Sequence, residues 1–194
     1  MFSKKPKHDG QALRVYMDPI EYSQMLAVLE AIRPAKVLEW GAGGSTAAIL
    51  RDCPFIQRHV SIEHDAAWAE KVRSTIVDSR LDLQFVAPDQ PLVAQRPTGP
   101  EVVAWCARAE RDLEIMRSYV QRPALLEQSY DFVLVDGRGR SFCLAEGFRL
   151  LRSGGSMVLH DAQREDYRAA LVALGRFRLL EPWKSGQIAV VHKP

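Results

Sequence analysis

An acidic residue stands two positions before the first glycine of a glycine-rich turn in the stretch VLEWGAGGST. Glu39 precedes Gly41, and Gly43 and Ser45 follow in the same turn. Glycines at such positions allow a ligand to approach the backbone closely, as in the turns that bind dinucleotides. A carboxylate at this point would repel a pyrophosphate, whereas it would attract a ligand with a positive centre. The pattern therefore favours a cationic ligand over a dinucleotide.

A second acid lies where α/β proteins bind ribose. Glu63 follows Gly43 by 20 positions and lies near the end of the segment RHVSIEHD, which reads as a strand. An acid at this interval accepts hydrogen bonds from ribose hydroxyl groups. The sequence thus predicts that the ligand contains a ribose.

Further polar residues follow the other predicted strands. In open α/β sheets, ligands bind beyond the carboxyl ends of the strands. Histidine titrates near neutral pH and carboxylates accept protons, so side chains of both kinds at this edge are candidates for acid–base catalysis. The residues expected at this edge are His64, Ala87, Pro88, Asp136, Gly137, Arg138, His160 and Asp161.

The elements that hold these residues alternate between helix and strand after about residue 17. This alternation predicts βαβ units and a doubly wound, mostly parallel sheet. DFVLVDG, with four consecutive apolar residues, is typical of a strand that is covered on both faces. FRLLEPW and QIAVVHK are separated only by KSG, too short for a crossover helix, so they predict a C-terminal antiparallel hairpin.

We expect residues 1–17 to form a solvated basic arm and residues 18–194 to form a single domain with a long connection at 88–130. Apolar residues in this connection recur at steps of three and four, which predicts one helix with a narrow apolar stripe. Such a stripe could pack on its own sheet, cover a pocket, or pair with a second subunit in a homodimer. Its members are Val102, Cys106, Ala109, Leu113, Met116 and Val120.

The composition narrows the class of protein. The chain has 194 residues, of which 47% are hydrophobic and 26% are charged, and its net charge is +2. These values are ordinary for a globular domain and do not indicate a nucleic-acid surface. We find no signal peptide and no membrane helix, which predicts a cytoplasmic protein. Cys53, Cys106 and Cys143 are odd in number and widely spaced, which favours reduced thiols.

From Asp18 onward the chain resembles the class I S-adenosylmethionine-dependent methyltransferases. EWGAGGS is similar to the first motif of that family, SIEHD to the ribose acid, and YDFVLVDG and LRSGGSMVLHD to its fourth and fifth strands. The resemblance implies a Rossmann-like α/β fold and S-adenosylmethionine as the cofactor. VDGRGRSFC and HDAQREDY look most like a poorly characterised bacterial methyltransferase-like group.

The resemblance also implies roles for individual residues. Glu39 would orient the methionine end of the cofactor, and Glu63 would hold its ribose. The remaining cofactor-binding candidates are Gly41, Gly43, Ser45, His64, Ala87 and Pro88.

Three residues are candidates for the transfer reaction. Asp136, His160 or Asp161 would position or deprotonate a small-molecule acceptor. Arg138 and Arg140 could hold an anionic acceptor, or they could be solvated charges on a turn. Two other functions stay open: a protein that binds the cofactor without methyl transfer, and a nicotinamide-dependent oxidoreductase, against which Glu39 and the hairpin argue.

A metal ion is an alternative at the same edge. Catechol O-methyltransferase-like enzymes place Mg²⁺ ligands at positions similar to those of Asp136 and Asp161, and oxygen ligands suit this ion. The sequence departs from that family at Ala162, where the family has an asparagine. We therefore expect no metal site and keep Mg²⁺ as the minor alternative.

Overall fold

The computed structural model describes residues 13–92, 98–127, 129–181 and 186–194. Seven strands form one sheet: β1 Lys36–Trp40, β2 Arg58–Glu63, β3 Leu81–Phe85, β4 Tyr130–Val135, β5 Leu151–Leu159, β6 Phe177–Leu179 and β7 Ala189–His192. The helices around it are α1 Pro19–Ile32, α2 Gly44–Asp52, α3 Ala66–Thr75, α4 Gly99–Ala109, α5 Arg117–Gln121, α6 Arg140–Leu150 and α7 Arg168–Ala173. Short 3₁₀ turns cover Leu113–Ile115, Arg122–Leu125 and Glu165–Tyr167.

The strand order is β3-β2-β1-β4-β5-β7-β6. Strands β1 to β5 pair in parallel, whereas β7 is antiparallel to both β5 and β6. The predicted mostly parallel sheet with an antiparallel C-terminal hairpin is therefore confirmed. The chain reverses its direction of winding between β1 and β4, which is where ligands bind in open α/β sheets.

Helix α1 begins with a capping box. The Asp18 carboxylate accepts a hydrogen bond from the backbone N–H of Ile20 at 2.9 Å, and the backbone N–H of Asp18 donates to Glu21 Oε2 at 2.8 Å. This arrangement satisfies amide groups that the first helical turn leaves without partners. It also fixes the Glu21 side chain, which is buried.

The core lies on both faces of the sheet. Along β4, Phe132 and Leu134 pack on the face covered by α1 and α2. Val133 and Val135 pack on the opposite face. A strand covered on both sides needs apolar residues at consecutive positions, which explains the run in DFVLVDG.

The long connection is not the single helix that its apolar stripe predicts, so this prediction is wrong. The helical pattern is interrupted after α4, where Asp112 caps a 3₁₀ turn, and it resumes in α5. Met116 and Val120 are buried in the core of their own sheet, whereas Val102 is exposed. The second half of the stripe therefore packs on its own sheet. None of the helices in the described ranges has the length and apolar character needed to cross a membrane.

Candidate functional site

A cavity of about 460 Å³ opens at the carboxyl ends of β1, β2 and β4. Its volume falls within the range of roughly 300–1,000 Å³ that is usual for small-molecule sites. The wall combines the glycine turn with polar residues from neighbouring strands. The lining residues are Arg14, Tyr16, Gly41, Ala42, Gly43, Gly44, Ser45, Glu63, His64, Asp65, Trp68, Asp136, Gly137, Arg138 and Arg140.

The glycine turn packs backbone against backbone on the loop that follows β4. Gly41 has a φ of +98°, and a Cβ atom placed on it would lie 2.8 Å from the backbone nitrogen of Gly137. A Cβ atom on Gly137 would lie 2.0 Å from the hydroxyl oxygen of Tyr119. The two loops can approach each other only because both positions are glycines.

The chain segment before α1 crosses the glycine turn. A Cβ atom on Gly44 would lie 2.1 Å from the carbonyl oxygen of Arg14, and Met17 is buried. Residues 13–17, predicted as part of a solvated arm, therefore run along the site, where Arg14 and Tyr16 line the cavity although both are exposed. The lysines at positions 4, 5 and 7 lie outside the described residues.

Glu39 is fully buried beneath the turn. Its carboxylate accepts hydrogen bonds from Ser45 Oγ at 2.6 Å, Thr46 Oγ1 at 2.6 Å and Ser61 Oγ at 3.1 Å. The Nε2 atom of His59 lies 3.0 Å from the same carboxylate. Glu39 is absent from the cavity lining that the described residues form, so its visible role is to hold the turn.

The sequence analysis did not identify the partners of Glu39 on β2, although two polar residues on that buried strand indicated them. His59 and Ser61 are polar residues at alternating positions of the buried strand β2, and Ser61 is in register with Glu39. Alternating residues of a strand point to the same face. Two buried polar residues on one face indicate a polar partner on the neighbouring strand.

Glu63 has one oxygen atom fixed and the other available. Its Oε1 atom accepts hydrogen bonds from the backbone N–H groups of His64 at 2.7 Å and Asp65 at 2.8 Å. From the described part of the chain, no donor reaches Oε2. Because Glu63 also lines the cavity, its free oxygen can accept hydrogen bonds from a ligand.

The residues after β3 lie away from this cavity. Ala87 lines a separate cavity together with Phe85 and Val86, and Pro88 is not part of the lining described above. Trp105 of α4 stacks on His64 with ring centroids 6.2 Å apart. It also donates a hydrogen bond to the carbonyl oxygen of Gln90 at 2.9 Å. The long connection thus forms part of the surroundings of His64.

The three catalytic candidates are close together, but only Asp136 lines the cavity. Asp136 Oδ1 lies 2.7 Å from His160 Nδ1. The other ring nitrogen of His160, Nε2, lies 3.5 Å from Glu21 Oε2. His160 is therefore buried between two carboxylates, behind Asp136. Glu21 could not be found from the sequence because its helix-capping pattern carries no sign of this contact.

Arg140 connects the ends of β4 and β5. Its side chain is 8% exposed and donates hydrogen bonds to the backbone carbonyl oxygens of Gly137 at 3.0 Å, Asp136 at 3.1 Å and His160 at 2.6 Å. The hydrogen-bond donors of Arg140 are therefore occupied by groups of the protein itself. Arg138 also lines the cavity, but unlike Arg140 its side chain forms no ion pair within the described ranges.

Protonation of His160 should make the stability of the protein depend on pH. Burial alone would lower the pKa of the His160 imidazole, but the hydrogen bond and charge of Asp136 outweigh it and raise the pKa above the ordinary 6.5. A raised pKa in the folded state means that folding favours the protonated imidazole. The resulting stability is fully present below about pH 6.5 and is lost as the pH rises through the folded-state pKa.

Urea unfolding measured from about pH 6.5 to 8 should therefore show a falling free energy of unfolding in the wild type. His160→Gln should flatten this dependence. His192→Gln, which removes an exposed imidazole from β7, is the control. If the slope is unchanged in His160→Gln, another group causes it.

No protein-family model matches the chain, and no curated protein matches it. Several solved structures do match its fold. A methyltransferase-like protein from Silicibacter pomeroyi is 20% identical, with a TM-score of 0.60 over 94% of this chain and 90% of that chain. An O-methyltransferase from Bacillus cereus, in complex with SAH, is 15% identical, with a TM-score of 0.63 over 97% and 84%.

An N-methyltransferase from Bradyrhizobium japonicum is 14% identical, with a TM-score of 0.54 over 89% of this chain and 94% of that chain. The last two proteins differ in the atom that they methylate, so what they share with this chain is the architecture. In this chain the architecture is a seven-stranded sheet in which β7 is antiparallel to its neighbours. The chain therefore has the fold of the class I S-adenosylmethionine-dependent methyltransferases.

Proposed function

We propose that the protein is an S-adenosylmethionine-dependent methyltransferase that acts on a small-molecule acceptor. The observation that carries this proposal is the cavity at the β1/β4 switch point, where the glycine turn lies beside Glu63 with its one free carboxylate oxygen. The strand order supports it further. Dinucleotide-binding sheets have the order 3-2-1-4-5-6, whereas an antiparallel β7 is inserted between β5 and β6 here.

The cavity wall fits the chemical groups of S-adenosylmethionine. Gly41 and Gly43 leave the backbone accessible, and Glu63 offers an acceptor for the ribose hydroxyl groups. Arg14 forms no ion pair with the rest of the described chain, and its guanidinium suits the carboxylate of the methionine end. When bound, the cofactor supplies an electrophilic methyl group on a sulfonium.

In this proposal Asp136 receives the proton of the acceptor. It lines the cavity, and its Oδ1 atom is held by His160, while Oδ2 receives no hydrogen bond from any residue that the structure describes. A carboxylate with one fixed and one free oxygen can orient an O–H or N–H group and accept its proton. Since His160 and Asp161 are outside the cavity lining, their part in the reaction would be to position Asp136.

Two features favour a small acceptor. The cavity is of small-molecule size, and the net charge of the chain is only +2, which gives little general attraction for nucleic acid. The Arg138 guanidinium, without an ion pair among the described residues, suits an acceptor that carries a carboxylate or phosphate.

The proposal predicts that S-adenosylhomocysteine binds and that Glu63→Ala weakens this binding by about 1.5–3 kcal/mol, the value of a hydrogen bond to a charged group. Isothermal titration calorimetry on the wild type and the variant measures both. Glu70→Ala removes an exposed acid from α3 and is the matched control.

NAD is titrated in parallel, because the sequence argument against a dinucleotide used Glu39, and Glu39 lies beneath the turn instead of in the cavity lining. Binding of NAD without binding of S-adenosylhomocysteine would refute the proposed function. Equal affinity of wild type and Glu63→Ala for S-adenosylhomocysteine would mean that the ribose site is elsewhere. Cofactor binding without transfer to any of a broad panel of acceptors would favour a protein that only binds the cofactor.

A further inference from the structure

Two aspartates at the ends of neighbouring parallel strands share one cation. Asp136 follows β4 and Asp161 follows β5. Arg140 Nη2 lies 3.2 Å from Asp136 Oδ1, and Arg140 Nη1 lies 3.3 Å from Asp161 Oδ2. The guanidinium therefore bridges the two carboxylates.

The geometry leaves this guanidinium little freedom. Besides the two carboxylates, it donates to three backbone carbonyl oxygens in the loops that follow β4 and β5. The centre of the guanidinium also lies 5.6 Å from the centroid of the Tyr167 ring. Arginine has five N–H donors in a rigid fork, and these contacts use the whole fork.

The charge balance matches this arrangement. Burial alone would lower the pKa of Arg140, but the carboxylates of Asp136 and Asp161 outweigh it and raise the pKa above its ordinary value. Arginine stays protonated in proteins, so the pair of aspartates has a permanent positive partner.

The residues present do not fit a divalent metal ion at this place. Ala162 offers no side-chain ligand beside Asp161, and the described ranges contain no group of three or more histidine, cysteine, aspartate or glutamate residues arranged to hold a metal. His160 Nδ1 is already directed at Asp136 Oδ1. A metal ion between the two aspartates would also meet the positive charge of Arg140 at close range.

We propose that Arg140 takes the place of a divalent cation in this site. Its guanidinium holds Asp136 and Asp161 at the strand ends and supplies the positive charge between them, so the protein has no metal requirement there. Arg140 is a positioning residue, because it acts through Asp136. The consequence for methyl transfer rests on the proposed function, whereas the assignment of the cation does not.

Electron paramagnetic resonance of Mn²⁺ titrated into the full chain tests this proposal, with Mn²⁺ as the probe. The wild type should show no saturable site. Arg140→Lys keeps the charge and should also show none. Arg140→Met removes the cation but keeps much of the side-chain volume, so the two carboxylates should gain a saturable Mn²⁺ site, which Asp136→Asn added to Arg140→Met should abolish.

Two results would overturn the proposal. One is stoichiometric Mn²⁺ binding by the wild type that Asp136→Asn removes. The other is a folded Arg140→Met protein without any gain in Mn²⁺ binding. If Arg140→Met does not fold, the wild type and Arg140→Lys still decide the question. Calorimetry with S-adenosylhomocysteine on the wild-type samples reports on the proposed function separately, since failure of cofactor binding would leave the Mn²⁺ result unaffected.

Discussion

Glu39→Ala should lower the free energy of unfolding by about 3–5 kcal/mol, because it leaves several buried hydrogen-bond donors without an acceptor, at about 1–3 kcal/mol for each. Three hydroxyl groups and the ring of His59 surround this carboxylate, and all of them lose their acceptor together. Buried donors without partners are costly because no water replaces the lost contact.

The loss should also reach the proposed cofactor site. Thr46 Oγ1 donates to Glu39 and accepts a hydrogen bond from the backbone N–H of Gly43 at 2.8 Å. Removing the carboxylate therefore removes the contact that holds Thr46 against the glycine turn. We expect the affinity for S-adenosylhomocysteine to fall together with the free energy of unfolding.

Urea unfolding and calorimetry measure the two effects. Glu30→Ala, at an exposed acid of α1, is the control and should change stability by no more than about 0.5 kcal/mol. A Glu39→Ala protein as stable as this control would contradict the structural role. Normal stability with complete loss of cofactor binding would instead assign Glu39 a direct contact with the methionine end, as the family resemblance implies.

The sheet could be predicted because its signals are local. Four consecutive apolar residues in β4 are needed wherever helices cover both faces of a strand. The short interval between the last two strands excludes a crossover helix, so their antiparallel pairing follows from chain geometry. Neither inference requires knowledge of distant contacts.

The long connection could not be predicted because distant contacts decide its course. Its apolar spacing is that of a helix, yet the helix stops at Glu110. The Glu110 carboxylate accepts a hydrogen bond from the backbone N–H of Arg140 at 2.8 Å, at the first turn of α6. A negative charge at the start of a helix is favourable, and this contact between residues 30 positions apart leaves no periodic signal.

The sequence names individual candidate residues for the site but does not give their arrangement. Asp136, His160 and Asp161 were all recognisable at the ends of predicted strands. Their arrangement from the cavity inward depends on contacts with Arg140 and Glu21. In the sequence, Arg140 reads only as part of a turn and Glu21 only as part of a helix cap. Packing of α1 beside β5 brings Glu21 to His160, and only the folded chain shows it.

Asp136→Asn should reduce methyl transfer by about 10²–10⁴-fold, the usual contribution of a general base, while leaving the affinity for S-adenosylhomocysteine near that of the wild type. The substitution keeps the size of the side chain and an oxygen that can face His160 Nδ1. It removes the charge that would accept a proton from the acceptor. Formation of S-adenosylhomocysteine, measured by chromatography with an acceptor found in a panel of phenols, carboxylic acids and amines, reports the rate.

Asp161→Asn is the matched control for this prediction. Both aspartates lie beside Arg140, so both substitutions remove a negative charge from the same guanidinium, but Asp161 is outside the cavity lining. A general base at Asp136 requires a much larger loss of rate in Asp136→Asn than in Asp161→Asn. Equal losses would mean that both residues act only by balancing the charge of Arg140. Wild-type turnover by Asp136→Asn would exclude Asp136 as the general base. Because Asp136 is the catalytic candidate that lines the cavity, another group would then have to accept the proton of the acceptor.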